Sequence, residues 1–383
     1  MTSSVERLLA AKEIAIACGS GGVGKTTVAA ALGTMAATHL GGRVLVLTVD
    51  PARRLASALG LEAFGNVETR VAADAFGAAG LEPRGELWVA MLDTKQSWDD
   101  LVRRHAPDER TRDAILANPL YTNITAKFVQ SHDYIAMERL FEIHASGRYD
   151  LVVVDTPPTR HALDFLDAPA RMVEFFGSRL LRWLTVPYRS RLVTVASRPF
   201  YQVADRILGT KFLQDIAEFF SLFQTMERGF VSRAREVARV LGDRRTTFVV
   251  VSTLEAAPLQ EAEFFMEALR ARRLQLGALV LNRVLPPYLL DAGATAAADL
   301  LRVSAPDLGA RVAPAVDAPA SRVSGVLAEV AASFSNFQVV AKREAEQRAE
   351  LAGAPEVTVA VPYLDEDVHD LTTLARLGAQ LWS

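Results

Sequence analysis

The stretch Gly19-Ser20-Gly21-Gly22-Val23-Gly24-Lys25-Thr26-Thr27 limits what this chain can fold into more than any other segment. It fits the pattern G-x-x-x-x-G-K-[ST]. The apolar run Ile14-Ala15-Ile16-Ala17-Cys18 before it reads as a buried strand, and Thr27-Val28-Ala29-Ala30-Ala31-Leu32 after it reads as the start of a helix. Glycines let the backbone wrap a phosphate closely with its N–H groups turned inward, and the helix N-terminus adds positive potential. Lys25 is then placed to reach the outer phosphates and the Thr26 hydroxyl to hold Mg²⁺. The pattern implies a nucleoside triphosphate site, with residues 19–27 as its nucleotide-binding loop.

The spacing of further apolar runs predicts the rest of the sheet. Residues 43–49, 87–92, 151–155, 247–252, 276–282 and 357–361 are short runs rich in β-branched residues, with helical stretches between most of them. Strand, helix, strand at this spacing makes βαβ units and an α/β fold with a parallel sheet. Residues 95–147 are mostly helical, with a break near Asn118-Pro119. Residues 168–242 hold much helix, no good strand and a high density of aromatics, and a long helix is expected over about 322–351. Within 212–230, Phe212, Ile216, Phe219, Phe220, Phe223, Met226 and Phe230 recur at three and four, as one apolar helical face; Val173, Phe176, Leu180, Trp183 and Leu184 form a second. Such faces serve equally as packing between helices or as a groove for an apolar client helix.

Bulk properties narrow the function classes. The 383 residues are 50% hydrophobic with a formal net charge of −3, which gives no support to a nucleic-acid-binding surface. A single cysteine, Cys18, excludes an internal disulfide or a cysteine-cluster metal site. The N-terminus lacks a basic-then-apolar leader pattern, and no run approaches the ~20 apolar residues needed to cross a bilayer. A cytoplasmic location is expected, peripheral to a membrane only through a partner.

Three polar strand ends are candidate site residues. Asp155 closes the run Leu151-Val152-Val153-Val154 and precedes Thr156-Pro157-Pro158-Thr159. A carboxylate at the tip of a buried strand near a phosphate loop suits Mg²⁺ coordination through water. Asp50, before Pro51-Ala52-Arg53-Arg54, can orient or deprotonate an attacking water, and can also cap the following helix. Asn282, followed by Arg283, offers the amide donor and acceptor that read an adenine edge, though it also suits a turn before Pro286-Pro287. No Asn-Lys-x-Asp guanine-reading motif occurs, so ATP is favoured over GTP.

Taken in order, Gly19 to Thr27, Asp50-Pro51-Ala52-Arg53-Arg54-Leu55, Asp155-Thr156-Pro157-Pro158-Thr159-Arg160-His161-Ala162-Leu163-Asp164-Phe165-Leu166, Leu281-Asn282-Arg283-Val284 and Val361-Pro362-Tyr363-Leu364 resemble the family of arsenical pump-driving and tail-anchored-protein-targeting ATPases. The resemblance covers about residues 12–380. It implies a three-layer phosphate-loop NTPase fold with a mostly parallel sheet, one ATPase domain over 1–383, and an inserted helical subdomain at about 95–145 and 168–242. It also implies that Asp50, with Lys25, is catalytic and positions the hydrolytic water. Asp50, Pro51 and Arg53 would belong to a first switch, and Asp155, Thr156, Arg160 and His161 to a second that senses the γ-phosphate. Thr26 and Asp155 would hold Mg²⁺, and Asn282 would read adenine. The implied function is a Mg²⁺-dependent ATPase whose cycle regulates a membrane-associated or hydrophobic partner, working as a homodimer or as a heterodimer with a related ATPase.

The chain departs from that family at a telling position. Members usually carry a second lysine just after the first glycine of the loop, reaching across a dimer to the partner's phosphates; here that residue is Ser20. Arg160 or Arg53 can supply the missing charge, or a heteromeric partner can. A nucleotide-binding regulatory or scaffold subunit with little hydrolysis of its own is therefore the alternative function. One buried cysteine cannot make a three-thiolate arsenite site or a zinc clip between subunits, nor can it hold an iron–sulfur cluster.

Overall fold

The computed structural model describes residues 4–49, 54–59, 61, 65–121, 129–157, 162–178, 210–351 and 353–382. Eight strands form one sheet: β1 (Ile14–Cys18), β2 (Gly42–Thr48), β3 (Thr69–Arg70), β4 (Gly85–Met91), β5 (Leu151–Asp155), β6 (Thr246–Ser252), β7 (Leu276–Val284) and β8 (Val357–Pro362), in the spatial order β3-β4-β2-β5-β1-β6-β7-β8. Every neighbouring pair is parallel except β3 with β4. Strands β1, β5 and β6 are buried along their whole length, which is why they read as unbroken apolar runs rather than alternating ones. The seven parallel strands lie where the apolar runs placed them. The two-residue antiparallel edge strand β3 carries no such run and was not expected.

Helices cover both faces. On one lie α1 (Ser4–Ala10), α2 (Lys25–His39), the short α3 (Arg54–Ala58), α4 (Ala73–Ala78) and, from the far end of the chain, α14 (Leu371–Leu381). On the other lie α5 (Thr94–His105), α6 (Glu109–Leu116), α7 (Val129–Ala145), α8 (Ala162–Gly177), α9 (Thr210–Gln224), α10 (Glu227–Leu241) and α11 (Ala256–Ala271), packed against Ile14, Ile16, Val152 and Val154 of the sheet. Sheet and covering helices make the α/β architecture expected, with helices inserted between β4 and β5 and between β5 and β6. A hairpin of α12 (Ala292–Val312) and α13 (Ala320–Glu350) then separates β7 from β8.

Two expectations are corrected. The apolar face drawn through 212–230 is not one helix: it breaks at Thr225-Met226, where the Thr225 hydroxyl donates to Leu222 O at 2.6 Å and α10 begins. Phe223 and Phe230 still meet, with ring centroids 5.2 Å apart, because the turn folds the two helices onto each other. Secondly, α13 is long and apolar enough, by length and composition, to cross a membrane. Its apolar residues are spaced by Ala, Ser and Gly, so no continuous run announced it. Leu180, Trp183 and Leu184 of the second proposed face lie outside the described residues.

Candidate functional site

The described part of the site lies at the C-terminal ends of β1, β2, β5, β6 and β7. The loop leaves β1 at Gly19, where a Cβ would come within 2.0 Å of Val251 O on β6. It enters α2 through Gly24, which has φ 94° and lies so close to Asn282 that a Cβ would strike Nδ2 at 2.3 Å. Only glycine meets both demands. Gly21 and Gly22 are exposed, whereas Val23 is buried and anchors the loop from beneath.

Lys25 opens α2 and is 7% exposed; its Nζ donates to Ser20 O at 2.8 Å, so the side chain folds back over the loop it serves. Ser20 is also buried, and its hydroxyl has no hydrogen-bond partner among the described residues. Beside Lys25, the Thr26 hydroxyl donates to Asp155 Oδ2 at 2.8 Å. The same oxygen accepts from the Thr48 hydroxyl at 2.9 Å. Thr48 is the register partner of Asp155 across β2 and β5, which brings the end of β2 to the loop. Asp155 itself is fully buried at the tip of β5.

The pair Thr26 and Asp155 fits Mg²⁺, which takes one or two carboxylates, a hydroxyl and substrate phosphates rather than a closed protein cage. Thr156 turns the other way: its hydroxyl and its N–H both reach Ala17 O, at 2.8 and 3.3 Å, tying the start of the second proposed switch to β1. On the opposite flank Asn282 is buried, and its Nδ2 donates to Val23 O at 2.8 Å, while Arg283 reaches Gly22 O at 3.4 Å. Arg283 has φ 58°, and the β7–β8 register shifts between Leu281 and Val284. That irregularity turns both side chains from the sheet onto the loop. Cys18 is fully buried at the end of β1, and burial pushes its thiol far above the ordinary range.

The structure therefore gathers Gly19 to Thr27, Asp155, Thr156, Asn282 and Arg283 in one place. Asp50, Pro51, Arg53, Arg160 and His161 lie outside the described residues. Thr48 went unremarked in the sequence; its signal was a lone hydroxyl closing an otherwise apolar strand. Among the described aromatics, Phe176, Phe219, Phe223 and Phe230 are buried core residues, which for these four favours the packing reading over a client groove.

A family described as "Anion-transporting ATPase" matches residues 12–295. The chain is similar to "ATPase ASNA1 homolog 2" of Paramecium tetraurelia, 24% identical over 271 residues, covering 70% of this chain and 75% of that protein. It is likewise similar to "ATPase GET3" of Podospora anserina, 24% identical over 273 residues, covering 70% and 72%. An uncharacterised protein of Streptomyces coelicolor is 30% identical over 271 residues, covering 70% of this chain and 61% of that one. The matched segment holds every described loop and strand-end residue that builds the site, and the chain belongs to the anion-transporting ATPase family.

Proposed function

We propose that this ATPase is Mg²⁺-dependent and uses its cycle to change the grip of its helical layer on a membrane-associated or hydrophobic partner. The observation that carries the reading is the Thr26–Asp155–Thr48 junction. One carboxylate oxygen links the phosphate loop, the strand leading to Asp50 and the strand leading to residues 156–166. Mg²⁺, when bound, neutralises charge on the β- and γ-phosphates. Thr26 and Asp155 are the residues that would hold it. Lys25 leaves Ser20 O to meet phosphate oxygens, and the loop N–H groups orient the triphosphate for in-line attack. Asp50 positions the attacking water. Because both strands end at the same oxygen, a change at the phosphates reaches both following segments and, through 156–166, helix α8. The relatives' names support ATP hydrolysis. The targeting or transport role rests on the motif resemblance, as do the helical layer's part as the moving subdomain, the cytoplasmic location and the pairing with a like or related ATPase.

Replacing Asp50 with Asn is expected to preserve ATP binding and reduce turnover by at least about a hundredfold, with Lys25→Ala as the binding-deficient control. Unchanged turnover in Asp50→Asn would overturn the assignment. Ser20 favours a second reading, a subunit with slow hydrolysis of its own in a heteromeric complex. Phosphate release by the isolated chain separates the two: turnover rising only when a related ATPase is added identifies the second.

A further inference from the structure

A cavity of about 360 Å³ opens at the β8 edge of the sheet, between α13 and the C-terminal ends of β7 and β8. Its floor is apolar: Leu254 just after β6, Val284 at the end of β7, and Ala360 and Pro362 on β8. Pro286 and Leu290, in the turn that leaves β7, and Ala341 of α13 complete the walls. Ala360 and Pro362 alternate with Val361, which is buried on the α2 side of the sheet, so these two point to the other side. Leu254 belongs to the core on that other side. Asn282, by contrast, donates to Val23 O, and Val23 is packed on the α2 side. The ends of β7 and β8 therefore separate the cavity from the phosphate loop.

Two charged side chains interrupt the apolar lining, both from α13: Glu344 and Arg348. They are four residues apart, in the order that favours an ion pair along a helix. That pair is not made. Glu344 turns instead to the chain leaving β7, where its Oε2 accepts from Leu285 N at 2.9 Å, and the carboxylate keeps room for a second donor. Arg348 is exposed and makes no ion pair among the described residues. Burial holds the Glu344 carboxyl above its ordinary value, against the pull of the Leu285 N–H, and Glu255 adds to the rise.

We propose that this cavity binds a free α-amino acid with an apolar side chain, its ammonium on Glu344, its carboxylate on Arg348 and its side chain against Leu254, Val284 and Pro362. Four residues of helix set the two charged positions about 6 Å apart along the axis, which leaves room between them for the ammonium and carboxylate of one α-carbon. A guanidinium takes a carboxylate through two parallel N–H bonds. Burial makes a lone carboxylate costly, and the ligand's ammonium is the cation that Arg348 does not supply. An apolar carboxylate without the ammonium would set its charge beside Glu344, and an apolar amine would set its own beside Arg348. An apolar cleft with a few placed polar groups is the common form of a small-molecule site, and 360 Å³ is at the small end of that class.

Isothermal titration of the full chain with L-leucine, without nucleotide, should show saturable binding at one site per chain. Isocaproate, which lacks the ammonium, and isoamylamine, which lacks the carboxylate, should each bind at least about tenfold more weakly. Glu344→Gln keeps an acceptor for Leu285 N, and should remove only the preference for leucine over isocaproate. Arg348→Gln should remove only the preference over isoamylamine. A helix that was merely disturbed would not lose one preference and keep the other. Absence of saturable binding by both L-leucine and L-phenylalanine overturns the proposal. So does equal binding of leucine and either analogue by the wild type, or a pair of variants that weaken all three compounds alike. Displacement of leucine by saturating ATP overturns it too, because the cavity would then be part of the nucleotide site. None of these outcomes depends on whether ATP is hydrolysed.

Discussion

The two faces of the sheet are packed from opposite materials. Behind the phosphate loop, α2 is buried nearly all round by small residues: Ala29, Ala30, Ala31, Ala36 and Ala37 touch the sheet and α14, and Gly33 lies flat against Val46. The opposite face is built from rings. Trp98, Tyr134, Phe176, Phe223 and Phe230 meet with centroids 5.2–6.4 Å apart, and beneath them lie charges: Glu138, Arg233, Arg104 and Glu142. Small residues leave no room for an element to shift, and a loop that must hold a triphosphate benefits from that rigidity. The difference fits the function proposed above, in which one face holds the nucleotide and the other is the one that moves.

The largest effect that tests this division comes from the aromatic face. Phe230 is fully buried between Trp98, Tyr134, Phe176 and Phe223. Phe230→Ala should cost about 3–5 kcal/mol in urea unfolding. Under native conditions, nucleotide affinity should stay within a factor of two or so, since the ring touches nothing in the loop. An affinity that falls in step with stability would erase the distinction between the faces.

The small-residue face should respond in the opposite sense. A Cβ on Gly33 would come within 2.2 Å of Val46 Cγ2, a stiff β-branched side chain on a buried strand. Gly33→Val should destabilise by about 1–3 kcal/mol, less than the loss of Phe230. It should nevertheless weaken nucleotide binding, because α2 carries Lys25 and Thr26 on the same rigid body. A titration with a fluorescent nucleotide read beside the unfolding curve checks both. Loss of stability with intact binding would show that the loop does not depend on the packing behind it.

What could be read ahead of the structure follows the same division. The central strands β1, β5 and β6 announce themselves because both of their faces are buried, and Gly19 to Thr27 announces itself because its backbone path tolerates few other residues. Thr48 is different in kind. Its role comes from lying opposite Asp155 across two parallel strands 107 positions apart, and no local pattern carries that register. The turn at Thr225-Met226 was hidden for a related reason: Phe223, Met226 and Phe230 keep helical spacing through the break, so periodicity runs on where the backbone does not. The apolar character of α13 was hidden by its own composition, since alanine and serine between the valines dilute any apolar run.

The smallest expected effect sharpens the comparison most, because it asks whether the charges under the rings are an adjustable part of that face. Glu138 is 2% exposed on α7, with Arg233 Nε of α10 at 2.9 Å and Arg104 of α5 at 3.9 Å. Burial raises its carboxyl to about 7 against the pull of both guanidinium groups, while Glu236 adds to the rise. His105 beside them is held below its usual value by burial, then by Arg233 and Arg104. Since Glu138 titrates higher in the fold than in the unfolded chain, the native state binds more protons between about pH 4.5 and 7. Stability from this group must therefore fall as pH rises through that window and level off above it. Relative to Glu138→Gln, which keeps the shape and cannot ionise, the wild type should lose about 1 kcal/mol between pH 6 and 7.5. Paired urea melts at the two pH values measure it. A difference that grows with pH in favour of the wild type would mean that the two arginines, not burial, set the charge state of Glu138. The three helices would then be locked by a permanent ion pair rather than held by one that a proton can release.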